Sequence, residues 1–237
     1  MQYDKHKKAK AALAEIDKAP TNYLVIHYSC ESFYNTQEGR TPRITSIAVV
    51  SFDSGQTDSF SIHKVAEKKH IPLNQIEANY DGLEKAMLEE FFSYVLRHAT
   101  NYWIHWNMRD INYGFKALEH RFEVLGGTPQ IIDDSRKVDL SRLFSSFYGA
   151  EYIGHPHMGK LLELNNIVPK DYLSGADEAC AFEQKDFIKL HQSTSQKVRA
   201  IACLLEKAID GTLKTQARWR NMYGISPQGI FEYFHDK

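Results

Sequence analysis

Glu31, Asp110 and His191 are side chains of types that can carry hydrolytic chemistry. Carboxylates at the ends of separate strands can hold Mg²⁺ or Mn²⁺, because hard divalent cations prefer anionic oxygen. Two such ions about 3.5–4 Å apart, held by shared carboxylates, stabilise the attacking and leaving oxygens of a phosphodiester. An imidazole close by can take the proton from the attacking water. Each residue also has a plainer reading. Glu31 is then a solvated loop carboxylate, Asp110 the N-cap of a helix, and His191 a capping or packed helix residue. Only the elements that position them can decide between the two.

Those elements are legible in outline. Tyr23–Tyr28 is a short apolar, β-rich run suited to a strand buried on both faces. A polar loop over 32–42 leads to a second strand at Ile44–Val50. After the tight-turn signal Asp53-Ser54-Gly55 comes a third, from Thr57 to His63. Three strands joined so closely pair antiparallel. Leu83, Met87, Leu88, Phe91, Phe92 and Val95 then recur at helical spacing and predict a helix from about Asp81 to His98. Tyr102–Trp106 is a fourth strand, able to return parallel because that helix precedes it. Asp110 opens the next helix, with Ile111, Phe115, Leu118, Phe122 and Leu125 as its stripe and Gly126-Gly127 as its end. Lys137–Leu140 is a short fifth strand running into a helix at Ser141–Tyr148. The remainder is helical, with Val198, Ile201, Ala202, Leu205 and Ile209 as its clearest stripe.

This order predicts an α/β fold with a ribonuclease-H-like mixed sheet: three antiparallel strands, then parallel strands, flanked by helices, and a helical C-terminal part. Within it the segment Ile104-His105-Trp106-Asn107-Met108-Arg109-Asp110-Ile111 resembles the second motif of the DEDDh family of 3′–5′ exonucleases, with Asp110 on the metal-binding Asp and Trp106 where the family usually has Asn. Ser29-Cys30-Glu31 resembles that family's Asp-x-Glu motif, with Ser29 in place of the Asp. In an alternative register His27 and Ser29 take both acidic places. His191 and Gln196 have the spacing of the last motif, His followed five residues later by Asp, with the Asp replaced. The resemblance spans roughly residues 23–213.

What the resemblance implies is a metal site at Glu31 and Asp110 with His191 as base, and degenerate positions at Ser29 and Gln196. Two of four carboxylates leave too little charge for two close Mg²⁺ or Mn²⁺ ions, unless an acid such as Asp53 or Asp139 substitutes. The expectation is a catalytically degenerate module that binds nucleic acid, a nucleotide or a protein partner. An active exonuclease or small phosphodiesterase is the alternative. Trp106 and Asn107 in the second motif, and Lys214, Arg218 and Arg220 mixed with Trp219 and Tyr223 near the C-terminus, are the candidate nucleic-acid contacts. An assembly or homo-oligomer role is a third reading, for which Trp103, Trp106, Trp219, Phe231 and Phe234 would supply the surface.

Composition narrows the setting. The 237 residues are 43% hydrophobic and 25% charged, with a net charge of −1, so no general basic coat is present. Cys30, Cys180 and Cys203 form no CxxC pair, which fits a reducing compartment rather than a disulfide framework or zinc site. No apolar run approaches the roughly 18–20 residues of a membrane span, and residues 4–18 lack a signal-peptide core. A cytoplasmic protein is expected, with an exposed amphipathic helix at 1–20, the exonuclease-like domain at 21–213, and a tail or linker at 214–237. His155-Pro156-His157 lacks a third ligand, and Gly126-Gly127 lacks the Lys-Ser/Thr of a phosphate loop.

Overall fold

The computed structural model describes residues 2–31 and 41–216. Arg218, Trp219, Arg220, Tyr223, Phe231, Phe234 and most of the 32–42 loop lie outside the described residues. The elements run α1 (Gln2–Lys18), β1 (Tyr23–Cys30), β2 (Ile44–Ser51), β3 (Thr57–Ser61), α2 (Ile62–Lys68), α3 (Tyr80–Arg97), β4 (Tyr102–His105), α4 (Phe115–Val124), β5 (Lys137–Asp139), α5 (Leu140–Tyr148), α6 (His157–Leu164), α7 (Gly175–Glu183) and α8 (Phe187–Ile209).

The strands make one mixed sheet in the order β3-β2-β1-β4-β5. β1 pairs antiparallel with β2 and parallel with β4; β2 pairs antiparallel with β3, and β4 parallel with β5. β1 is therefore central and wholly buried, as its uninterrupted apolar start requires. Alternation divides its side chains between two cores. Leu24, Ile26, Tyr28 and Cys30 join the core beneath α3 and α4. Tyr23 and Val25 join the core formed with α1, α5, α6 and the second half of α8. α1 lies against this second face, burying Ala9, Leu13 and Ile16 and leaving its charged residues outward.

Three sequence expectations change. The third strand stops at Ser61, where α2 begins. The period-two signal through His63 was carried by residues that form the first helical turn. The helix after β4 starts at Phe115 rather than Asp110, and Ile111 is 74% exposed instead of lying on its stripe. Residues 109–114 fold back on themselves through an Arg109–Gly114 bridge. Asp110 N–H donates to the Tyr113 carbonyl (3.1 Å), and Asp110 Oδ1 accepts from Asn112 N–H (2.8 Å). Such an Asx turn competes with helix for the same backbone groups. Finally, Trp103 and Trp106 are both core residues, Trp106 packing edge-on against Phe144.

α3 and α4 are tied to β2 by a buried ion pair. Arg121 reaches Glu84 through Nε (3.0 Å to Oε1) and Nη2 (2.5 Å to Oε2), and Glu84 Oε1 also accepts from Ile44 N–H (2.6 Å). Among the described residues no helix is long and apolar enough to cross a membrane.

Candidate functional site

The carboxyl ends of β1, β4 and β5 lie at the same edge of the sheet, the edge where open α/β sheets build their sites. His27 and Ser29 continue the alternation of Tyr23 and Val25, so both point to the α8 side of β1. What meets them is the first half of α8. Its inward stripe, apolar from Val198 to Ala208, becomes polar toward the N-terminus as Ser193, Thr194 and Lys197.

The groups interlock. Lys197 Nζ lies 2.7 Å from Glu178 Oε1 on α7. Ser29 Oγ donates to the same carboxylate oxygen (2.8 Å), as does Ser193 Oγ (3.1 Å). Thr194 Oγ1 stands 2.8 Å from Ser29 Oγ and 2.6 Å from Ser46 Oγ of β2. Tyr172 lays its ring 5.3 Å from the ammonium. The Ser174–Asp177 capping box fixes the start of α7, and so the position of Glu178 one residue later.

His27 completes the group. Tyr113, stacked on Tyr28 at 4.5 Å, donates its hydroxyl to the Tyr28 carbonyl (3.1 Å). His27 Nδ1 lies 3.2 Å from the same phenol oxygen, within hydrogen-bond reach. Nε2 is buried and has no hydrogen-bond partner among the described residues. Burial, and after it the Lys197 charge, holds this imidazole well below the usual histidine range. The ring is held neutral.

The residues singled out from the sequence are not brought together. Glu31, one residue beyond β1, is buried and accepts from Arg43 N–H (2.8 Å), in electrostatic reach of Tyr80 and Cys30 on the α3 side. Asp110 is exposed and engaged in its Asx turn. His191 lies against β3, with Nε2 3.0 Å from Ser59 Oγ and its ring 5.0 Å from His63. Burial, then the charges of Lys64 and His63, lowers its pKa to about 4. Gln196 is half-buried beside Lys197 in sequence but off the inward stripe. Asn107 has a left-handed backbone (φ 56°) and a buried Oδ1 without a partner among the described residues. Lys214 lies past the other end of α8, where its backbone pairs with Asn165. Asp53 is exposed on the β2–β3 turn, at the opposite edge of the sheet.

Of the two substitute acids, only Asp139 is at the right edge, and it is committed. Its carboxylate caps α5 through Ser141 N–H (3.1 Å) and pairs with Arg109 Nη1 (2.8 Å). It lines a second feature, a cleft of about 310 Å³ at the ends of β4 and β5. Arg109, Lys116, Lys137 and Arg142 face that cleft, with Asp110, Asp134 and Asp139 as its carboxylates. His105 closes the base. Its Nδ1 accepts from Met108 N–H (3.1 Å), and burial lowers its pKa to about 4.

A two-metal centre does not fit these donors. Among the described residues the cluster under β1 holds one carboxylate, already paired with an ammonium, and no three His, Cys, Asp or Glu side chains are grouped to hold a metal ion. Lys197, Glu178 and the role of His27 were not picked out from the sequence. The signal for Lys197 was present: three or four residues back from Val198 and Ile201 lie Thr194 and Lys197, not His191 and Gln196. Comparison with protein-family models, curated proteins and solved structures finds no match to this chain.

Proposed function

We propose that this chain has the ribonuclease-H-like architecture that its sequence resembles, and serves as a non-catalytic module that binds nucleic acid or a nucleotide. The carrying observation is the Lys197–Glu178 pair under the carboxyl end of β1. The DEDDh resemblance calls for carboxylates on β1 and on the last helix, with divalent ions between them. Here β1 presents His27 and Ser29, and α8 presents an ammonium. Lys197 supplies one positive charge to the one carboxylate, so the cluster is compensated without a metal. A second cation would meet repulsion and a neutral imidazole instead of anionic oxygen. The strand order supports the architecture, and the cationic cleft beside β4 supports binding.

The test is hydrolysis of end-labelled single-stranded RNA and DNA in Mg²⁺ and in Mn²⁺, with Asp110→Ala and Glu178→Gln as controls. The expected result is no trimming above a no-protein blank. Metal-dependent trimming from the 3′ end, lost in either variant, would show an active exonuclease and overturn the reading.

A further inference from the structure

We propose that the cleft at the ends of β4 and β5 is a binding site for a phosphate monoester dianion, free or carried on a nucleoside. This deepens the binding-module reading and rests on it for the premise that the chain holds a ligand, but its residues are not those of the β1 cluster.

Donors outnumber the acceptors left to satisfy them. Arg109, Lys116, Lys137 and Arg142 face one small cleft. Two of its three carboxylates are already paired with cations, Asp139 with Arg109 and Asp134 with Lys137 (2.7 Å), and the third, Asp110, accepts from Asn112 N–H. The pairing with Asp139 uses one of the five guanidinium N–H groups of Arg109 and leaves a braced fork. Lys116 is exposed and makes no ion pair among the described residues, and Arg142 Nε is 3.8 Å from Asp139 at its nearest. His105 cannot act as an acceptor here. Met108 N–H occupies its Nδ1, so in the neutral ring the second nitrogen carries the proton.

Size selects within the anions. At about 310 Å³ the cleft is at the small end of ligand sites. Phe115 and Met108 give it an apolar wall where the carbons of a sugar can rest. Lys137 Nζ sits 5.0 Å over the Phe115 ring, which anchors that cation in place. Two guanidinium forks and two lysines lining one small, half-open cleft suit a compact dianion with three oxygens. They do not form the extended cationic track that follows a polynucleotide backbone.

The experiment is calorimetric titration of the full chain with inorganic phosphate and, separately, with adenosine 5′-monophosphate, at low and at high salt. Wild type is compared with Lys116→Glu/Arg142→Glu, both exposed positions, and with Lys18→Glu, a charge reversal at the far edge of the sheet. Saturable binding is expected that salt weakens, that the double variant weakens by about tenfold or more, and that Lys18→Glu leaves unchanged. Tighter binding of the nucleotide than of phosphate would assign the nucleoside as carrier; equal binding would assign the free ion. No saturable binding of either probe, or binding indifferent to the double reversal, would overturn the proposal and leave the non-catalytic reading intact. Binding lost in the double variant, together with metal-dependent hydrolysis of the nucleotide by wild type, would uphold the cleft and sink the non-catalytic reading.

Discussion

A lysine in a nearly closed polar cluster is costly to desolvate, and the Lys197–Glu178 pair is where that cost is met. Lys197 is 6% exposed, and its partner carboxylate is shared with two hydroxyls. Removing one member leaves the other charged and buried, which typically costs about 3–5 kcal/mol. Glu178 keeps an edge to solvent, with 14% of its side chain exposed, so Lys197→Met should cost roughly 3 kcal/mol, the low end of that range. Replacing both, as Lys197→Met/Glu178→Leu, should recover much of the loss, because no uncompensated charge remains. Urea denaturation of the four species in a double-mutant cycle measures this coupling. Additive losses would mean that the two groups do not depend on each other. His27 behaves differently: it bears no charge to compensate, and its orientation depends on Tyr113. Tyr113→Phe should therefore release the ring, read as a change in the His27 imidazole resonances without loss of the fold.

Elements carry those residues into place, and they differ in how much their local sequence reveals. β1, β2, β4, α3 and the end of α8 are strongly periodic or continuously apolar, and the sequence predicts them to within one or two residues. α2 and the 109–114 turn were missed, because Ile62-His63 extends a strand-like alternation and Asp110 looks like a helix cap. α7 has little periodicity, so Glu178 could not be placed against Ser29, to which it is joined only by tertiary packing. The 109–114 turn depends on Gly114, where an added Cβ would come 2.9 Å from the backbone of Met108 and Asp110. That contact is with backbone and cannot be relieved by a side-chain rotation. Gly114→Ala should destabilise by about 1–3 kcal/mol and disturb Tyr113 and His27; a thermal melt and the same His27 resonances check both effects. The α3–α4 clamp makes a sharper case. Arg121→Ala strands the fully buried Glu84 and should cost about 3–5 kcal/mol. Arg121→Lys should recover only part, since an ammonium cannot reproduce the two-pronged contact.

At the scale of the whole molecule, several imidazoles are held neutral by burial, and this sets the response to acid. His27 lies well below its ordinary value, and His105 and His191 are each lowered to about 4. In the unfolded chain they titrate near 6.5. Between these limits the unfolded state binds more protons than the native state, so stability must fall as the pH drops from about 6.5 toward 4. Glu84 and Glu119, whose carboxyls burial pushes upward, act in the opposite sense at the acid end of that window. Denaturation at about pH 7 and pH 5 should show the loss, and His191→Gln should flatten it. A stability unchanged across that interval would contradict neutral burial of these rings. Under the proposed reading, the fold's most specific consequence lies at the sheet's carboxyl edge, where the Lys197–Glu178 pair would stand where metal-dependent hydrolysis needs divalent ions. Titration of wild type and Glu178→Gln with Mn²⁺, followed by paramagnetic broadening of the His27 and Tyr113 resonances, tests that directly. The account predicts no saturable broadening in either protein. Saturable broadening in wild type that Glu178→Gln abolishes would show a metal seated at Glu178, and with it the central role given to Lys197 would fall.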